Sequence, residues 1–124
     1  MNIGLTQIIF VFICGVLTVP VEAKQRSSQQ LWKTFCVACH GTEGKGEVPS
    51  GVVLGVPDLT SKDFAEKSDA NTIRERIEEG KKNEKGVLRM IAYKHILNKK
   101  ELEGLVDYVS KLNHNRISDE NEEK

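Results

Sequence analysis

The chain has 124 residues with 18 basic and 18 acidic side chains, so its formal net charge is zero. That length fits one domain, and the balanced charge argues against a nucleic-acid binder, which carries a marked basic excess. With 39% hydrophobic and 29% charged residues the composition is that of a globular domain, yet aromatics are only 6% and the three cysteines are an odd number that needs an explanation.

Residues 1–23 carry one charged side chain, Glu22, and an apolar run from Ile8 to Val19 that ends at Pro20. That is the layout of a secretory signal peptide, with small residues around a cleavage point after Ala23. The segment ahead of the run has no Lys or Arg, which is off pattern. The alternative is an uncleaved anchor, because Ile3 to Val21 is uncharged and just long enough to span a bilayer. Cys14 lies in the run and leaves with the signal, so Cys36 and Cys39 remain in a disulfide-permissive compartment. The mature chain of about 100 residues buries only a modest core.

Residues 28–40 predict a helix: Ser28 at the N-cap, Leu31, Trp32, Phe35 and Ala38 at helical spacing, and Gly41 as the stop. Residues 41–58 hold five glycines and two prolines and predict a long loop, which in a small domain is usually functional. A short helix follows over 60–67 around Phe64 and Ala65. Ser68-Asp69 then caps a segment carrying Ile73 and Ile77 that Gly80 ends. Residues 81–97 lack periodicity and predict loop. Asn98 and Glu101 have capping-box spacing, ahead of a last helix with Leu102, Leu105, Val106, Val109 and Leu112 on one face. No segment alternates like a strand, so the domain over 24–117 is expected to be all-α, with 118–124 as a disordered acidic tail.

Cys36-Val37-Ala38-Cys39-His40 carries the chemistry. A C-x-x-C-H run is the attachment pattern of c-type haem. Two cysteines three apart on a helical turn face one way, so each can form a thioether to a haem vinyl group, and the adjacent imidazole addresses the iron. Other uses of such a pair are weaker. A thioredoxin-type redox pair needs a preceding strand. Zinc needs four ligands, and only His95 stands ready to join Cys36 and Cys39. A plain disulfide leaves His40 unexplained. The Gly44-Lys45-Gly46 run lacks the glycine spacing of a phosphate loop.

Over 28–112 the chain resembles a small class I c-type cytochrome, a monohaem electron carrier. The matching pieces are the Cys36–Gly41 run on its helix, Gly44-Lys45-Gly46, Pro57-Asp58-Leu59-Thr60, Ile77-Glu78-Glu79-Gly80 before a loop containing Met90, and Leu105-Val106-Asp107-Tyr108-Val109 in the last helix. The resemblance implies the cytochrome c fold, about four short helices and long loops wrapped around one covalent haem c. It implies Met90 as the sixth iron ligand, a soft thioether that raises the reduction potential, although Ile91 stands where the family often has proline. His95 is the alternative ligand, and His114 is expected in solvent. The resemblance also implies that a proline carbonyl accepts the Nδ1–H of His40, with Pro57 the candidate and Pro49 behind it. It further implies that the first and last helices cross, with Leu31 and Phe35 against Val109 and Tyr108.

Between Lys81 and Lys100 stand Lys81, Lys82, Lys85, Arg89, Lys94, Lys99 and Lys100, opposed only by Glu84. A patch of one sign steers encounter with an acidic redox partner; ordinary solvated loop charge is the other explanation. The expected function is an exported, periplasmic electron carrier between respiratory redox proteins, not an enzyme. The alternatives are a haem subunit of a larger oxidoreductase, or a haem enzyme or gas-binding module with an open sixth position, motivated by Ile91.

Overall fold

The computed structural model describes residues 24–122, with side chains described through Leu112. The signal segment, the cleavage point, Cys14 and the side chain of His114 lie outside what is described.

The helical run that carries the cysteine motif has three parts: α1 (Ser28–Leu31), a π-helical turn (Trp32–Cys36) and α2 (Val37–His40). It begins one residue earlier than the spacing suggested. The Oγ of Ser27 accepts from the Gln30 amide at 3.2 Å and the Gln30 side chain accepts from the Ser27 amide at 2.9 Å, a capping box in which Gln30 selects Ser27 over Ser28. Gly41 ends the run at φ 75°, as expected.

The segment 41–58 is not all loop. It contains α3 (Pro49–Leu54), with Pro49 at its start and Gly55 in the left-handed conformation at its end, the asymmetry that favours a helix at both termini. Periodicity could not reveal it, since Val52 and Val53 are 69% and 78% exposed. What holds α3 is close approach. A Cβ on Gly51 would lie 2.3 Å from the Cys39 carbonyl oxygen and 2.4 Å from that of Gly46, and the Ser50 hydroxyl donates to the Ala38 carbonyl. The helix therefore lies directly against α2.

Next come α4 (Lys62–Lys67), capped by Ser61, and α5 (Ala70–Glu79), whose Asp69 cap accepts from the Thr72 amide at 2.8 Å and whose end is Gly80. The segment expected to be loop then forms a small antiparallel hairpin, β1 (Lys81–Lys82) and β2 (Leu88–Met90), pairing Lys81 with Met90 and Lys82 with Leu88. This corrects the all-α expectation: the fold is mostly helical with one hairpin. Its turn is held by Asn83, whose Oδ1 accepts from the amides of Lys85 and Val87 at 3.0 and 2.9 Å. Two- and three-residue strands are too short to show alternation.

Finally α6 (Lys99–Glu122) opens on the expected reciprocal cap, Asn98 amide to Glu101 at 3.1 Å and Glu101 amide to Asn98 at 2.9 Å. Its backbone is helical through Glu122. Helix α6 packs against α1, α4 and α5, around a core of Leu31, Trp32, Leu59, Ile73, Ile77, Tyr93, Leu102, Leu105, Val106 and Val109. Arg74 clamps α5 to α6 through Glu103 at 2.8 and 2.7 Å. Among the described residues no helix is long and apolar enough to cross a membrane.

Candidate functional site

Cys36 closes the π turn and Cys39 sits one turn on in α2; both are free, half-buried thiols. Burial, with Cys39 nearby as the smaller cause, pushes the Cys36 thiol up to about 11. His40, the last residue of α2, is held below the usual imidazole value by burial, so its ring is neutral at physiological pH. Its Nδ1 is buried with no hydrogen-bond partner. The Trp32 ring lies 5.8 Å from that of His40 and 5.4 Å from Tyr108, while its indole N–H donates to the Thr42 carbonyl at 3.2 Å.

The helix crossing therefore differs in detail from the implied one. Leu31 and Val109 share the core as expected, but Trp32 is the residue whose ring meets Tyr108. Phe35 instead stacks with Tyr93 at 5.6 Å. The bond expected from His40 to the Pro57 carbonyl is not made, since Nδ1 has no partner. Pro57 is exposed beyond α3, where the Val56 amide is tied to the Gly51 carbonyl at 2.9 Å. Pro49 is spent starting α3.

Met90 ends β2, half-buried against the same core cluster that Cys36 packs on. His95 is exposed in a turn. Sequence reasoning passed over Tyr93 entirely. Its phenol is pushed up to about 12, first by burial and then by Cys36 and Cys39, and it donates to the Phe35 carbonyl at 3.0 Å. An aromatic three residues after Met90 was the available signal, hidden in a segment without periodicity.

Of the proposed patch, Lys81, Lys82, Lys85, Lys94, Lys99 and Lys100 are exposed and Arg89 is half-buried. Lys94 is paired with Glu79 at 2.8 Å. Among the described residues there is no group of three or more His, Cys, Asp or Glu that could hold a metal ion.

Two cysteines on one helical turn, next to a buried imidazole whose Nδ1 has no partner, fit a c-type haem. Fold and motif define a c-type cytochrome domain. The sequence model of the family described as cytochrome C oxidase, cbb3-type, subunit III matches residues 23–109, and the chain belongs to that family. It is 38% identical over 60 residues to the cbb3-type cytochrome c oxidase subunit CcoP of Rhodobacter capsulatus, a stretch covering 48% of this chain and 19% of that one. The chain thus spans about a fifth of the length of that curated relative. Among solved structures it is similar to the KustC0563 c-type cytochrome, with a TM-score of 0.60 and 25% identity, covering 70% of this chain and 98% of the other.

Proposed function

We propose that this chain is the haem-bearing electron-transfer unit of a respiratory oxidoreductase complex on the periplasmic side of the membrane. The family match over 23–109 favours this over a free carrier, and the observation that carries it is the Cys36, Cys39 and His40 set at the end of the π turn. One C-x-x-C-H run supports one haem per chain.

When bound, haem supplies a one-electron iron couple. Cys36 and Cys39 would hold it covalently. His40 presents a neutral imidazole because burial disfavours its charged form. Met90 would supply a second iron ligand, a neutral thioether of the kind that raises the potential. The helical elements around Leu31, Trp32 and Val109 keep water from the site. With His40 and Met90 both holding the iron, the group would serve electron transfer.

The test is the spectrum of the purified protein in denaturing alkaline pyridine, with a haem-to-protein ratio. A covalent c-type signature at one haem per chain is expected, and its absence ends the reading. Size-exclusion of gently solubilised native membranes separates the two modes of action. Elution with a large haem-containing complex supports the subunit role, and elution as a small protein restores the free carrier.

A further inference from the structure

The chain leaves β2 at Met90 and enters α6 at Lys99, and among residues 91–98 Tyr93 is the only buried one. It is anchored on three sides. Its amide donates to the Ile77 carbonyl in α5 at 2.9 Å, and its own carbonyl accepts from the amides of Ile96 and Leu97 at 2.9 and 3.0 Å. Its ring packs on Phe35 at 5.6 Å, and its hydroxyl donates to the Phe35 carbonyl at 3.0 Å across 58 residues of sequence.

The place of that acceptor matters. Phe35 lies inside the π turn, immediately before Cys36. The Val37 amide there donates to the Trp32 carbonyl, five residues back, so the regular α ladder is interrupted. Such single π turns recur at functional sites, and a carbonyl has two lone pairs to offer. The hydroxyl of Tyr93 takes one of them. Three residues of chain reach at most about 11 Å, so fixing Tyr93 to the Phe35 carbonyl confines Met90 to the neighbourhood of the cysteine-bearing helix.

We infer that Tyr93 is the positioning residue that ties the Met90 segment to the helix bearing Cys36 and His40, through its hydroxyl on the Phe35 carbonyl. The inference rests on the Met90 ligand reading for its functional meaning, but the tether itself is a property of the chain. It also supplies a physical answer to Ile91. Where the related pattern often stiffens this loop with proline, here the restraint comes from a buried tyrosine two residues further on.

The test compares the holoprotein with Tyr93→Phe, which keeps the ring and removes only the hydroxyl, and with Tyr93→Leu, which removes both. Three quantities are followed: hydrogen exchange of the Tyr93 and Lys94 amides, the thioether-to-iron charge-transfer band of the oxidised protein, and global melting. Losing one hydrogen bond should speed exchange at Tyr93 and Lys94 roughly three- to tenfold in Tyr93→Phe. The band should vanish at a temperature well below global melting, whereas in the wild type the two coincide. Unchanged exchange, or a band that disappears only in step with global unfolding in both variants, overturns the inference. A wild-type protein without the band refutes Met90 ligation instead, and the exchange comparison still decides the tether.

Discussion

His40 shows what burial does to an imidazole. A buried imidazole resists protonation, and a buried Nδ1 without a partner carries an uncompensated desolvation cost. Both features fit the iron-ligand role proposed for this ring. Met90, the proposed partner ligand, is neutral, polarizable and half-buried. Replacing it with alanine should leave haem content unchanged, since the proposed attachment is through Cys36 and Cys39. The charge-transfer band should disappear, the potential should fall, and the reduced iron should become open to carbon monoxide. Optical titration and a CO-binding assay on the same preparation check all three outcomes; a Met90→Ala protein with an unaltered band assigns the sixth position elsewhere, with His95 next in line. The Ala substitution for both Cys36 and Cys39 should instead abolish haem that survives denaturing electrophoresis.

At the scale of elements, two devices lock the helices around the motif. The first is the join between α1 and α6. Glu101, 5% exposed, takes two bonds of 2.8 Å from Arg26, 42% exposed, and also accepts from the Asn98 amide. The Arg26 guanidinium holds the Glu101 carboxyl down from 4.5 to about 2. A carboxyl depressed in the folded state stabilises the fold above its ordinary value, and that contribution is lost as the pH falls through the folded value. The melting temperature should therefore decline from pH 4.5 toward pH 2, and Glu101→Gln should melt lower at neutral pH with a flatter decline over the same window. Equal slopes in the two proteins would remove Glu101 from the account. The second device is the seat of α3 on α2. Alanine is favoured over glycine within a helix by about 1 kcal/mol, but at Gly51 its methyl would collide with two backbone carbonyls. Overpacking costs about 1–3 kcal/mol, so Gly51→Ala should be net destabilising, with melting lowered by about 4–8 °C for each kcal/mol lost. These elements also show what a sequence can and cannot disclose. The caps at Asp69, Gly80 and the Asn98–Glu101 pair are made with neighbours within four residues, and all were legible. So was the cysteine motif, whose chemistry is contained in five consecutive residues. Helix α3 was not, because its contacts are made by a missing side chain at Gly51. The hairpin was not, because backbone bonds and Asn83 hold it. The Arg26–Glu101 and Tyr93–Phe35 links join residues more than fifty positions apart, and nothing local marks either pair.

Across the whole molecule the zero net charge is an average over unlike parts, since residues 24–117 hold 17 basic and 13 acidic side chains. The excess is concentrated from Lys81 to Lys100, on and beside the hairpin that presents Met90. The hairpin region combines exposed Lys81, Lys82 and Lys85 with exposed Val87, Leu88 and Ile91. Apolar contact surrounded by charge of one sign suits brief docking, in which attraction sets the encounter rate and a small interface permits release. Lys94 contributes less, because Glu79 already neutralises it. If this face receives electrons from a separate acidic protein, the bimolecular rate should fall roughly tenfold as salt is raised from low to physiological strength. Reversing Lys81, Lys82 and Lys85 to glutamate should lower the low-salt rate by a similar factor and remove most of its salt dependence, leaving the haem spectrum unchanged. Stopped-flow mixing with a reduced acidic donor measures this. If the donor is instead a fixed neighbour in the same complex, transfer is first order and indifferent to salt. The same experiment therefore separates an encounter surface from a permanent one, and decides whether the hairpin charges act in docking or only keep an exposed loop solvated.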